Sequence, residues 1–480
     1  MNGDSIVRNT AYYTVASVGQ KIISFVYFSL VARMLGPVDT GKYYFTLTFT
    51  TIFVVLVDLG LTNVLIREAA RNKEKSQAYL ANVLWCKLGL GVLTYILLVL
   101  AINLLGYPVE IRHLVYVSGL TMLFDSFHLS IYGLLRSLGS LKYEAAGVVG
   151  SQLLTLIIGT IALFTHQPII CLIAAFTVAS LFNLIYALII LYQRYRLYFY
   201  PHLDPAILRP FLRIAFPFAL AAIFARVYSY IDTVLLSKLA SPEVLGWYSI
   251  PSKITYAFQF IPLALVAAVY PRFSEFFLVD RERLGKVFVQ AIKYLAVIVL
   301  PLSVGLFVLA QDIIISLYTV QFASSVLPLK ILLLGLTFSY LGFPIGAILN
   351  ATNRQKTQTV VIFLVMIVNV VANILLIPRL GAVGAAISAS IGNLILAVLG
   401  YVFVPKVAPV AHWQIGRNLI LVLVCALGMG LVVGFVNNYT HYLMAIVAGM
   451  VIYPLFLFLF RVVSWEEIRT FTVLFKREKI

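Results

Sequence analysis

Apolar stretches of roughly 20 residues recur along the chain from Thr10 to Phe460, separated by short segments rich in polar residues, Gly and Pro. A helix of that length crosses a hydrocarbon core about 30 Å thick. A backbone in lipid must satisfy its own N–H and C=O groups, so such stretches form helices. Only 11% of the 480 residues are charged, against about 25% in soluble globules. Water cannot be the main solvent of this chain. The expected fold class is an all-α polytopic membrane protein with about 14 transmembrane helices.

Hydropathy and turn signals place the first six spans near residues 9–34, 42–66, 78–105, 114–135, 143–165 and 169–192. A hydrophilic connection, QRYRLYFYPHLDPAILRP, follows. Eight further spans fall near 211–237, 244–270, 287–309, 326–350, 359–377, 381–404, 417–436 and 441–460. The expected organisation is an N-terminal lobe (1–192), a cytoplasmic linker (193–210), a C-terminal lobe (211–404), and two last spans with a basic cytoplasmic tail (405–480).

The net charge of +17 raises the question of nucleic acid, and the position of the charges answers it. With the N-terminus inside, alternate loops hold Arg67, Arg71, Lys73, Lys75, Arg136, Lys142, Arg194, Arg196, Arg272, Arg281, Arg283, Lys286, Arg354 and Lys356, whereas the opposite turns hold few basic residues. Basic residues near span ends resist translocation. Both termini are therefore expected in the cytoplasm, the protein in the cytoplasmic membrane, and no nucleic acid among its partners. Cys86, Cys171 and Cys425 lie in or beside apolar runs, without CxxC spacing or a His cluster, and read as packing residues, with no metal expected.

A shift of 205 residues aligns the chain with itself without gaps. Lys21 falls on Arg226, Ser24 on Ser229, Arg33 on Lys238, Pro37 on Pro242, Gly41 on Gly246, Tyr43 on Tyr248 and Arg67 on Arg272. An even number of spans separates the copies, which makes the repeat parallel. Polar residues in the first spans of each copy thus become the candidate site.

Tyr13, Ser17, Lys21, Ser24 and Phe28 share a narrow helical stripe. Arg226, Ser229, Tyr230, Thr233 and Ser237 make a second, and Ser249, Lys253, Tyr256 and Phe260 a third. Each sets a cation among hydroxyls and rings, a pattern suited to phosphate and sugar. An ionisable group inside a span costs several kcal/mol unless it meets a cavity, a partner or the interface. Lys87 and Lys293 read as snorkelling side chains, Arg226 and Lys253 as cavity residues, and Lys21 stands between the two. For Arg33 and Lys238, at outer span ends, an interfacial anchor and a cavity role both stay open.

Acidic residues within spans are Asp58, Asp125 and Asp232, candidates for ion coupling or for structural hydrogen bonding. Asp125 and His128 are three apart and can share a proton. Asp232 lies about 120° around the helix from Arg226, so the two do not neutralise each other on one face. Pro217, Pro262, Pro301 and Pro344 mark expected bends. Asn369 and Asn373 read as glue between helices. No GxxxxGK[ST], HExxH or GxSxG occurs, and the outside loops are too short for a catalytic domain. No enzyme activity and no cofactor are expected.

The phrases ARMLGPVDTGKYYF and VDLGLTNVLIREAAR, then YSYIDTVLLSKLASPEVLGWYSIPSKI, IPLALVAAVYPRFSE, NATNRQKTQ and NVVANILLIPRLGAVGAA, resemble the polysaccharide-transporter, or Wzx-type, flippases of the multidrug/oligosaccharidyl-lipid/polysaccharide superfamily. The likeness extends over nearly the whole chain. It implies two six-helix lobes in a V plus two C-terminal helices. It also implies transport of a polyprenyl-(pyro)phosphate-linked oligosaccharide from the inner to the outer leaflet by alternating access. In the related lipid II flippases the central cavity is cationic, and Arg33 and Lys253 stand in the phrases that carry its basic residues; Lys21, Arg226, Tyr230 and Tyr256 rest on the repeat and the stripes. Implied partners are the lipid-linked oligosaccharide, membrane lipids, and glycosyltransferases or a polymerase of the same pathway. The alternatives are a multidrug or cation antiporter of the same superfamily, a membrane-embedded glycan-modifying enzyme, and an assembly scaffold.

Overall fold

A computed structural model describes residues 3–197 and 203–463. The basic tail and part of the linker expected from the sequence lie outside the described residues. Among those described, every regular element is helical. The helices run α1 (Gly3–Asp58), α2 (Leu61–Arg71), α3 (Ser76–Leu104), α4 (Val109–Ser137), α5 (Leu141–Phe164), α6 (Ile169–Tyr195), α7 (Pro205–Leu239) and α8 (Pro242–Phe258). They continue with α9 (Phe260–Val279), α10 (Arg281–Val308), α11 (Ala310–Tyr318), α12 (Val326–Ala351), α13 (Gln355–Leu380), α14 (Ala382–Phe403), α15 (His412–Tyr439) and α16 (Tyr442–Leu459).

Among the described residues, thirteen stretches are long and apolar enough to cross a membrane. The first, Tyr12–Asp58, has 47 residues, about 70 Å of helix and more than twice a hydrocarbon core. It is broken at Gly36, whose φ of 73° and ψ of 179° are non-helical, next to Pro37. Gly tolerates that backbone and Pro cannot continue the ladder. Counted as two spans, it brings the total to the fourteen expected.

The second span ends earlier than hydropathy suggests. The helix stops at Asp58, and Leu59 (φ 43°) and Gly60 (φ 78°) turn the chain into α2. Leu61, Val64, Leu65 and Ala69 form the buried face of α2, while Asn63, Arg67 and Arg71 are exposed. The apolar run through Ile66 is therefore the inner face of an amphipathic helix and not the end of a span.

The chain divides into two compact units, Met1–Ser249 with Asn373–Gly381, and Ile250–Ala372 with Ala382–Ile480. In the first, Leu61, Leu65, Leu84, Ile131, Tyr132 and Phe211 belong to one apolar core that joins α2, α3, α4 and α7. Asp204 starts α7 by accepting from the Ala206 N–H at 2.8 Å, with Pro205 at the first helical position, where no N–H is needed. The Asp204 N–H donates to Asn82 Oδ1 at 2.6 Å, fixing the linker's end to α3.

In the second unit Phe273, Leu284, Phe288, Ile292, Ile348 and Val404 belong to a core shared by α9, α10 and α12. Two prolines there show how a helix carrying proline stays satisfied in lipid. Pro262 has no N–H for the carbonyl of Phe258, and the hydroxyl of Tyr340 donates to that oxygen at 2.6 Å. Pro301 likewise frees the carbonyl of Val297, which accepts from Tyr453 Oη at 2.7 Å. At both positions a tyrosine hydroxyl supplies the bond that proline removes. Pro344 lies inside α12; the side chain of Pro217 is outside the described residues.

Candidate functional site

The sequence repeat has a physical counterpart within the first unit. A β-carbon on Gly41 would stand 1.9 Å from the carbonyl oxygen of Pro242, and one on Gly246 would stand 1.9 Å from that of Pro37. Each copy's glycine thus receives the other copy's proline carbonyl, and the backbones of α1 and α8 meet without side chains between them. Beside this crossing, Tyr107 Oη and Ser237 Oγ lie 2.7 Å apart. The Lys238 ammonium stands 3.6 Å from the centroid of the Tyr107 ring and donates to the Leu105 carbonyl. Lys238 thus ties the turn between α3 and α4 to the end of α7, a contact that favours the anchor of the two roles open to it.

The candidate cations of this unit fall on α1 and α7. Lys21 is half-buried and Arg33 is exposed. Arg226 is half-buried with its guanidinium 5.9 Å from the centroid of the Tyr230 ring, which realises the stripe expected on α7. Tyr13, from the first stripe, meets a different partner: Arg136 of α4 stands 5.5 Å over its ring and donates to its hydroxyl at 3.3 Å. Arg136 is itself paired with Glu144 of α5, whose side chain is buried. In the second unit Lys253 is half-buried and Tyr256 is exposed, both on α8.

Asp232 does not meet Arg226, as the helical angle requires. It is buried and accepts from the hydroxyl of Tyr248 and, at 2.7 Å, from the Thr233 N–H. The 205-residue register that pairs Tyr43 with Tyr248 pairs Tyr27 with Asp232. In the first copy both tyrosines are buried beside Phe176, at centroid distances of 6.0 and 6.3 Å. One position of the repeat has thus become an acid in the second copy only.

Asp125 and His128 meet as their spacing implies, with Nε2 3.0 Å from Oδ1. Ser180 of α6 donates to the same Oδ1 at 2.5 Å. Asn183 Nδ2 reaches His128 at 3.4 Å, and Tyr132 donates to Asn183 Oδ1 at 2.5 Å. The acid therefore has both features expected of it, a histidine partner and a bond to a neighbouring helix. On α13, Asn369 donates to the Ser388 carbonyl at 3.2 Å, the helix-joining role its type suggests.

Lys87 departs from expectation. Its side chain does not reach the interface: it is 1% exposed and lies 2.5 Å from Asp58 Oδ1. The ammonium also reaches Thr62 Oγ1 at 2.9 Å, the Ser126 carbonyl at 3.1 Å and Ser126 Oγ at 3.2 Å. Sequence spacing cannot reveal this group, because its members come from α1, α2, α3 and α4. The one available signal is that Asp58 and Lys87 are opposite charges inside neighbouring spans.

Comparison with known proteins adds to these findings. Residues 6–277 match a family described as polysaccharide biosynthesis protein, and residues 151–454 match the family of the lipid II flippase MurJ. The chain is similar to the capsular polysaccharide biosynthesis protein CapF of Staphylococcus aureus, 20% identical over 407 residues that cover 84% of this chain and 100% of the relative. It is 27% identical to a probable flippase, AglR of Haloferax volcanii, over 37% of this chain and 38% of that one. The solved structure of lipid II flippase MurJ in an inward closed conformation matches with a TM-score of 0.78 at 19% identity, covering 94% of this chain and 98% of the other. An inward-facing multidrug resistance transporter of the MATE family matches with a TM-score of 0.69 at 18% identity, covering 83% and 94%. At these identities the structural matches speak for a shared fold.

Proposed function

Because the chain belongs to the polysaccharide biosynthesis protein family, we propose that it is a flippase carrying a polyprenyl-(pyro)phosphate-linked oligosaccharide from the cytoplasmic to the outer leaflet. It is a multi-pass membrane transporter, not an enzyme. The observation that carries the reading further is the family match together with basic residues on membrane spans, Lys21 and Arg33 on α1, Arg226 on α7 and Lys253 on α8. Ionisable residues within spans are rare and mark substrate paths, and a phosphate-bearing substrate is the anion that basic ones suit. In this reading these four cations, with Tyr230 and Tyr256, hold the phosphates and sugars while the lipid tail stays in the bilayer. An antiporter of organic cations would call for acids at these positions.

The reading includes residence in the cytoplasmic membrane with both termini inside, supported by the basic residues of alternate loops. It also includes a division into lobes at 1–192 and 211–404, joined by 193–210 and followed by 405–480, and cooperation with glycosyltransferases or a polymerase of the same pathway. Outward passage of an anion from an inside-negative cell gains about 2.3 kcal/mol per charge per 100 mV, so the membrane potential favours export. The test is reconstitution of the purified protein in liposomes that carry a fluorescent polyprenyl-pyrophosphate sugar in both leaflets. Protein-dependent loss of protection in the inner leaflet is the expected result, and equal protection with and without protein overturns the proposal.

A further inference from the structure

The surroundings of Lys87 are those of an ion more than those of a hydrogen-bond donor. An ammonium carries three N–H groups, yet four oxygens lie within 3.2 Å of Nζ: Asp58 Oδ1, Thr62 Oγ1, the Ser126 carbonyl and Ser126 Oγ. Three kinds of oxygen are represented, carboxylate, hydroxyl and carbonyl, the donor set that hard cations select. The cage is tied together without the lysine. Thr62 Oγ1 donates to Asp58 Oδ1 at 2.5 Å and lies 3.2 Å from Ser130 Oγ, which donates to the Ser126 carbonyl at 3.2 Å. Asp58 Oδ2 accepts from the Gly60 N–H at 3.2 Å and Oδ1 from the Thr62 N–H at 3.3 Å, which orients the carboxylate at the turn into α2. The oxygens therefore converge through their own bonds, from α1, α2 and α4, on the buried end of a side chain from α3.

We propose that this cage is a monovalent-cation site whose resident ion is the chain's own Lys87 ammonium. The charge that Asp58 needs inside the membrane is carried on a tether, so the site holds its cation permanently and exchanges none with either side. Coupling of transport to a metal ion does not run through it. Removing the tether exposes a site for a small hard cation, with Na⁺ or Li⁺ as the matching chemistry. The inference concerns binding only and stands whatever the transported substrate is.

The experiment compares detergent-purified wild type, Lys87→Ala and the double variant Asp58→Asn with Lys87→Met, each in sodium, lithium or choline chloride at equal ionic strength. In choline, Lys87→Ala leaves the half-buried Asp58 carboxylate without its counter-charge inside the membrane and its Tm falls by roughly 5 °C. Sodium or lithium restores at least half of that loss and adds one ²²Na⁺ site per chain beyond the wild-type count, because a ligand of the folded state stabilises it. The double variant, which lacks both charges, melts near wild type and gains no sodium response beyond it. Equal melting of Lys87→Ala in sodium and choline overturns the proposal. So does failure to recover Lys87→Ala even in sodium while the double variant is recovered, since the cage then does not accept a free ion.

Discussion

Gly41 and Gly246 hold the same position in two copies of one repeat, and each lies against the carbonyl of the other copy's proline, Pro242 and Pro37. Such a reciprocal contact is the molecular form of a two-fold relation. It explains why the P-x3-G-x-Y phrase stands in both copies: Pro supplies the carbonyl, Gly receives it, and Tyr43 and Tyr248, two residues on, are both buried. A methyl group at either glycine must push two backbones apart, and backbone yields less readily than a side chain. Gly41→Ala and Gly246→Ala are each expected to cost about 1–3 kcal/mol of stability, the range of overpacking in a close-packed interior. Gly89 on α3, where an added β-carbon would meet nothing within 4 Å, is the control: Gly89→Ala should be neutral or slightly stabilising. Melting of the three variants in detergent checks the ranking, and a Gly41→Ala protein as stable as Gly89→Ala would refute it.

Arg33 and Lys238 are also equivalent by the repeat, but their surroundings assign them different work. Lys238 lies on the Tyr107 ring and bonds the Leu105 carbonyl, whereas Arg33 is exposed on α1. Lys238→Ala should lower stability by about 0.5–1 kcal/mol, the value of an exposed cation–π contact, and leave glycan export in cells near wild type. Arg33→Ala, by contrast, should weaken export. A matched fall in export for both variants would return Lys238 to the substrate path.

Helix ends offer a prediction that concerns stability alone. The chain leaves α4 through Gly139 at φ 79°, with Gly139 N–H on the Arg136 carbonyl and Ser140 N–H on the Leu135 carbonyl. It leaves α5 by the same pattern, His166 N–H on Leu163 and Gln167 N–H on Ala162, but the left-handed residue is His166 at φ 53°. A side chain with a β-carbon costs about 1–2 kcal/mol in that region. His166 is exposed, so little packing is lost by its removal. His166→Gly is expected to stabilise the protein by about 0.5–1 kcal/mol after the entropy of the unfolded glycine is counted. A lower melting temperature than wild type counts against the assignment.

The parts of the fold legible in the sequence are those written as local patterns. Spans follow from apolar length, the repeat from Pro, Gly and Tyr that cannot be exchanged at their positions, and the α7 stripe from helical spacing that does bring Arg226 to Tyr230. Hydropathy failed where an amphipathic helix begins directly after a span, because Asp58 alone interrupts an apolar run from Thr51 to Ile66 otherwise marked only by Gly60, Thr62 and Asn63. It also could not read Lys87. A lysine near a span end looks the same whether its stem reaches water or a carboxylate, and the difference lies in Asp58, Thr62 and Ser126 on other helices. The tyrosines that replace bonds lost to proline, Tyr340 and Tyr453, are invisible for the same reason.

The candidate cations yield the prediction that bears most directly on transport. If Arg226 and Lys253 bind the phosphates of the substrate, each contributes a charge-assisted hydrogen bond of about 1.5–3 kcal/mol, equivalent to roughly 10- to 150-fold in affinity. Arg226→Ala and Lys253→Ala should each slow flipping in liposomes by that order at limiting substrate, with smaller losses at saturation, because binding is what weakens. Arg226→Lys should recover part of the loss, as a point charge without the planar fork. Tyr230→Phe keeps the ring under the guanidinium and removes only a hydroxyl, so a modest loss there separates a stacking role from a sugar contact. Both alanine variants should melt within about 3 °C of wild type or above it, because removing a charge inside a span also removes its desolvation cost. Wild-type flipping by both, at substrate levels below saturation, would mean that the anion is held elsewhere.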